Sequence, residues 1–365
     1  MNFFIKQLPR FAVALVIVAL LAGCSLQPST PSMETQSTQE ANPSPEETAP
    51  PLTPSSKFKT AWPTNVTADE LTDTALFNTY QYFDATRREN CKADYKVHLG
   101  HPILDAHKPD IELFVKQTVE IFCDHFKNPV IVIGGNNDFV LSTVAENNYP
   151  ADDYGGVCGY EVPNDANGGC AFFDVAWVGS NWGAADNPMR VRYAIVAHEI
   201  FHIVQYNLDP EPGAQIPGPG HPLFRPVWLI EGAGDYFGRA VASYLDFFPY
   251  SREVPRTREG RYLEATYLAD LDLLEEWQDL GSRGENYFSG QRAMEYIIAN
   301  KGAESVIDLT KHLGEGQKFE TAFEKTMGIS VQDFYQKFKE LFSNLYGDRL
   351  VDDSFYFCTN SFGCN

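Results

Sequence analysis

The chain is expected to fold as an α+β protein, with a mixed-sheet upper lobe over 58–187 followed by a mainly helical lower lobe over 188–350. Two patterns point there. The first half holds short apolar runs rich in β-branched residues and bounded by turn formers, beside one segment of helical spacing. The second half holds successive segments whose apolar residues recur every three or four positions, separated by Pro- and Gly-rich breaks. A third observation sets the scale. With 365 residues, 44% hydrophobic and 13% aromatic, the chain has enough apolar surface for a sizeable buried core.

The elements follow in order. Residues 1–10 carry Lys6 and Arg10 and no acid, and 11–23 are all apolar or small. That is the layout of a secretory signal peptide, too short for a comfortable membrane span. It ends in Leu21-Ala22-Gly23-Cys24, which resembles the lipobox of bacterial lipoproteins. The resemblance implies cleavage of 1–23, lipid chains on Cys24 and stable attachment to the membrane. Ser25 in place of Asp implies sorting to the outer membrane if the cell has two membranes. The plainer alternative is a secreted protein with Cys24 there by chance. Residues 24–57 are rich in Ser, Thr, Pro, Glu and Gln, so they read as a disordered tether.

From Phe58 onward the composition is globular. A helix is expected over 111–126, a buried strand over 129–134, a long polar loop over 144–169 and another strand over 170–178. Helices follow at 191–206, 228–245, 262–277, 287–300, 303–313, 317–327 and 331–346, then a Cys-containing tail at 351–365. Leaving out Cys24, six cysteines remain, an even number that in an exported protein suggests disulfides. Nearness in sequence suggests Cys158–Cys170 and Cys358–Cys364, which leaves Cys91 with Cys123. The absence of a CxxC pair argues against a zinc ribbon. His98, His101 and His107 lack helical register and read as surface residues. Residues 164–168 (NDANG) lack the EF-hand spacing and read as a turn. The 28 basic and 49 acidic residues give a net charge of −21. Such a surface repels phosphate backbones, which excludes nucleic acid as a partner.

One motif carries chemistry. His198-Glu199-Ile200-Phe201-His202 is an HExxH pattern in an otherwise apolar segment. Residues four apart share a helix face, so both imidazoles can reach one metal ion, and zinc suits neutral imidazole. Glu199 stands beside that ion, where it can take a proton from water. Burying two histidines and a glutamate with no partner would cost several kcal/mol, on the order of a whole domain's stability. A metal removes that cost.

Gln205 and Leu208 stand where a metzincin has Gly and His, which excludes that class. Further on, 228–236 (WLIEGAGDY) places a carboxylate on the next helix. With the HExxH pattern this resembles the gluzincin metallopeptidases, most strongly over 194–238 within a wider match of about 130–345. The resemblance implies zinc held by His198, His202 and Glu231. It also implies that Asp235, four positions after Glu231, orients a ligand histidine. The gap from His202 to Glu231 is about ten positions longer than in thermolysin-type members, and the Pro/Gly loop at 209–222 accounts for the excess. His221 in that loop is a rival third ligand. Residues 285–290 (ENYFSG) resemble the Tyr-x-x-Gly stretch of the aminopeptidase branch, which implies that Tyr287 donates to the oxyanion; Tyr236 is the alternative. No Gly-x-Met-Glu-Asn stretch occurs, and Asp174 in the 171–178 strand is its nearest equivalent by position. Cleavage within peptide or protein substrates is therefore favoured over aminopeptidase activity. The rival of another class is a surface-binding lipoprotein with a structural metal.

Overall fold

A computed structural model describes residues 52–346, apart from 60, 101–104, 127–128, 136, 148, 150–168, 173–174, 179–187, 209–225, 248, 251–269 and 276–282. The signal peptide, Cys24, most of the tether, His101, Cys158, the 164–168 turn, Asp174, His221, most of the 262–277 helix and the tail with Cys358 and Cys364 lie outside these residues. The protein is α+β and mainly helical. No helix among the described residues is long and apolar enough to cross a membrane.

Helix α1 (Ala68–Thr86) opens with Thr67 accepting from the Glu70 amide at 3.1 Å while the Glu70 carboxylate accepts from the Thr67 amide at 2.8 Å. This reciprocal cap satisfies two amides that a helix start otherwise leaves without partners. Strand β1 (Tyr95–Leu99), helix α2 (Lys108–Ile121), strand β2 (Val130–Gly134) and helix α3 (Asn137–Asn147) follow. The expected helix at 111–126 is thus α2 plus a 3-10 turn at Cys123–His125. Of the sequence-adjacent histidines, His98 lies on β1 and its Nε2 is 2.7 Å from the Tyr149 hydroxyl.

Residues 170–178, expected to form one strand, instead form a hairpin of β3 (Gly169–Phe172) and β4 (Val175–Val178). Phe172 pairs with Val175, so only two residues connect the strands. Those two, Phe173 and Asp174, lie outside the described residues, and Asp174 is the one polar interruption of the run, which is why 170–178 reads as a single strand. The sheet order is β1-β2-β4-β3, with β1, β2 and β4 parallel and β3 antiparallel at one end.

Helix α4 (Pro188–Asn207) packs against the β3–β4 hairpin on one side and α5 (Val227–Tyr244) on the other; α5 in turn packs on α6 (Arg283–Lys301). Between α5 and α6 the expected helix at 262–277 is, where described, a 3-10 turn at Leu271–Leu274. Helices α7 (Glu304–Gly314), α8 (Phe319–Met327) and α9 (Val331–Tyr346) complete the described chain, close to the expected bounds.

Glycines allow the three central helices to approach closely. A Cβ on Gly232 would run into the backbone of Gly290, and one on Gly238 into the Ala194 carbonyl oxygen, with the His198 amide 2.8 Å away. Gly238→Ala should therefore force α5 away from α4. The expected loss is about 1–3 kcal/mol, the usual cost of overpacking, read as a lower melting temperature.

Cys91 and Cys123 form a disulfide across 32 positions, joining the segment after α1 to the end of α2. This is the pairing left after matching sequence neighbours. A loop of that length removes unfolded-state entropy worth about 3–4 kcal/mol. Replacing both cysteines by serine should lower thermal stability by that order, with the secondary structure retained by circular dichroism.

Candidate metal centre

Helix α4 brings the site's imidazoles into the core. Val196, Ala197, Ile200, Phe201, Ile203 and Val204 are all buried, so the helix has no solvated face along this stretch. Phe201 stacks on Phe237 of α5 at 4.3 Å between ring centres, fixing how the two helices meet. His198, Glu199, His202 and Gln205 are buried with them. The α5 end that carries Glu231 is anchored separately. The Val227 amide donates to the Glu275 carbonyl at 3.0 Å, and Trp228 Nε1 donates to the Tyr335 hydroxyl at 3.0 Å. That hydroxyl donates onward to the Glu275 carboxylate at 2.7 Å.

Three side chains then converge. His198 Nε2 and His202 Nε2 are 2.9 Å apart, and each stands 3.5 Å from Glu231 Oε2. Among the described residues, His198, His202 and Glu231 form the group whose donor atoms could hold a metal ion. A triangle with those sides has a circumradius of about 1.9 Å. An ion slightly off its plane would therefore stand about 2.0 Å from all three atoms, the zinc–imidazole and zinc–carboxylate distance. The donor set fits an ion of that size.

The buried groups act on one another's charge. Burial disfavours a charge on His202, yet the Glu231 carboxylate outweighs it and pushes the imidazole up to about 9. Burial likewise opposes the Glu231 charge, but the two imidazoles hold its carboxyl far below the usual range. Glu199 behaves differently. Burial dominates, the histidines offset it only in part, and its carboxyl is pushed up to about 7. A carboxyl poised near neutrality can both accept and return a proton.

The remaining expected residues fall as follows. Asp235 Oδ1 is 4.0 Å from His198 Nδ1, beyond hydrogen-bond length, while its Oδ2 accepts from Arg239 Nε at 3.1 Å. Gly234 lies flat under the same ring: a Cβ there would stand 2.9 Å from His198 Cε1. Tyr287 is partly buried on α6, its ring centre 5.8 Å from that of His198. Burial, then the charges of Glu231 and Glu199, push its phenol well up. Tyr287 thus keeps its proton, with its ring beside that of His198. Tyr236 faces away from the three donors, with its hydroxyl 2.6 Å from Thr79 Oγ1 of α1.

Two neighbours were not legible as site residues in the sequence. Arg239 pins Asp235 one turn along α5. Gln205, which in the sequence only excluded the metzincins, lies 2.6 Å from His202 Nδ1 through its Oε1. Its position three residues after His202, on the same helix face, is the one signal that marks it.

Geometry and charge together define, among the described residues, a buried two-histidine, one-carboxylate group that could hold a metal ion, with the Glu199 carboxyl and the Tyr287 phenol near it. No family model, curated protein or solved structure matches the chain.

Proposed function

We propose that this protein is a zinc metallopeptidase of gluzincin type, held outside the cytoplasm by lipid on Cys24. The observation that carries the reading is Glu199. A purely structural zinc site closes with a fourth ligand and needs no base, whereas here a buried carboxyl lies next to a group of three donors among the described residues, close enough for both imidazoles to act on its charge.

His198, His202 and Glu231 would hold the zinc. When bound, zinc supplies Lewis-acid polarisation and lowers the pKa of water toward about 7. The chain's own residues do the rest. Glu199 accepts a proton from the attacking water as the water oxygen bonds to the scissile carbonyl carbon. Tyr287 donates to the carbonyl oxygen as negative charge grows there. Glu199 then passes its proton to the amine nitrogen as the C–N bond breaks, leaving a carboxylate and a free amine. Asp235, held by Arg239, would swing the short remaining distance to orient His198. Strand β3 ends the sheet beside α4, so an extended peptide could add there as a further strand between the two lobes.

The test is digestion of paired peptides, free and acetylated at the amino terminus, by the zinc-loaded protein. Both members should be cut at internal bonds, with a chelator abolishing cleavage and zinc restoring it. Cleavage of the free member alone would make the protein an aminopeptidase. Cleavage of neither would overturn the reading in favour of a surface-binding lipoprotein.

A further inference from the structure

We infer that Gln205 is a positioning residue that sets the ring of His202 for metal binding and braces it to the helix carrying Glu231. The inference rests on the reading of His198, His202 and Glu231 as a metal cage. It does not depend on that cage hydrolysing peptides.

The amide's second contact fixes its orientation. Gln205 Nε2 donates to the Ile230 carbonyl at 3.3 Å, and a carbonyl can only accept. The nitrogen of the amide must therefore face Ile230, which turns Oε1 toward His202. Oε1 stands 2.6 Å from His202 Nδ1 and itself can only accept, so Nδ1 must be the donor. With its proton fixed on Nδ1, a neutral His202 keeps the lone pair of Nε2 directed at Glu231 and His198. One side chain thus selects the tautomer, fixes the ring's rotation and ties it to the residue before Glu231 on α5.

Among the described residues the other imidazole has no equally short support, since Asp235 stands 4.0 Å from His198 Nδ1. Gln205 is also 2% exposed, so water does not readily replace it. Its removal should act on the metal rather than on the fold. The Ile230 carbonyl lies within α5, where it can still accept from the helix backbone.

The experiment compares the full chain with Gln205→Met, which keeps side-chain length and packing, and Gln205→Glu, which keeps the acceptor. Zinc affinity is measured by chelator competition, and thermal stability with and without zinc. Gln205→Met should bind zinc about 10–100-fold more weakly, the usual cost of losing a group behind a ligand histidine. Its metal-free melting temperature should stay near wild type, while the increment added by zinc shrinks. Gln205→Glu should restore affinity to within about threefold, and the cobalt-substituted absorption spectrum should return with it.

Affinity of Gln205→Met within about threefold of wild type would overturn the inference. So would equal losses in metal-free and zinc-bound stability, which would mean a merely structural role. A wild-type chain that binds no zinc would overturn it together with the cage. One that binds zinc but cuts no peptide would remove the peptidase reading alone, leaving the Gln205 comparison to be read on its own.

Discussion

Glu199→Gln is expected to abolish peptide hydrolysis while the protein keeps its fold and its metal. The amide has the volume of the carboxyl but cannot accept a proton from water or return one to the amine. General-base contributions of this kind are about 10²–10⁴-fold, so the residual rate should fall by that factor. Stability should not suffer. Glu199 is 5% exposed and its carboxyl is raised chiefly by burial, so a neutral amide removes an electrostatic cost of folding. Steady-state rates on a cleaved peptide, with zinc content and melting temperature measured on the same preparation, decide it. An unchanged rate would remove Glu199 from the chemistry and assign its proton transfers to another group.

Glu231→Ala should have the largest effect on the metal. It deletes one of three donors and the only one that carries formal charge. It also takes from His202 the carboxylate that offsets the burial of a positive charge. The two imidazoles, 2.9 Å apart at their Nε2 atoms, would then face each other without the carboxylate that stands 3.5 Å from both. Zinc affinity should drop by more than the roughly 10–100-fold expected for a residue behind a ligand, and hydrolysis should drop with it. Competition with a chromophoric chelator measures the loss. Retained affinity would place the third ligand elsewhere, with His221 the first suspect.

What the sequence made legible was whatever repeats along one element. His198 and His202 share a helix face because they are four apart, and α4 through α9 follow apolar spacing within a few residues. Glu231 was reached through resemblance to gluzincins, because nothing local says that a carboxylate 29 positions on returns to the same point. Helix α1, strand β1 and helix α3 went unread. Alternation in β1 is short and charged, and α1 buries many threonines, such as Thr72 and Thr79, that do not register as apolar. Gln205 and Arg239 were silent for another reason. Their roles depend on contacts between helices, and a polar residue on an apolar face does not announce its partner.

The most direct measurement is a crystal structure of the zinc-loaded protein with anomalous data at the zinc absorption edge. The account predicts a single strong peak bounded by His198 Nε2, His202 Nε2 and Glu231 Oε2, at about 2.0–2.2 Å from each, with Glu199 beside it. A peak coordinated by other side chains, or none after prolonged exposure to zinc, would contradict it.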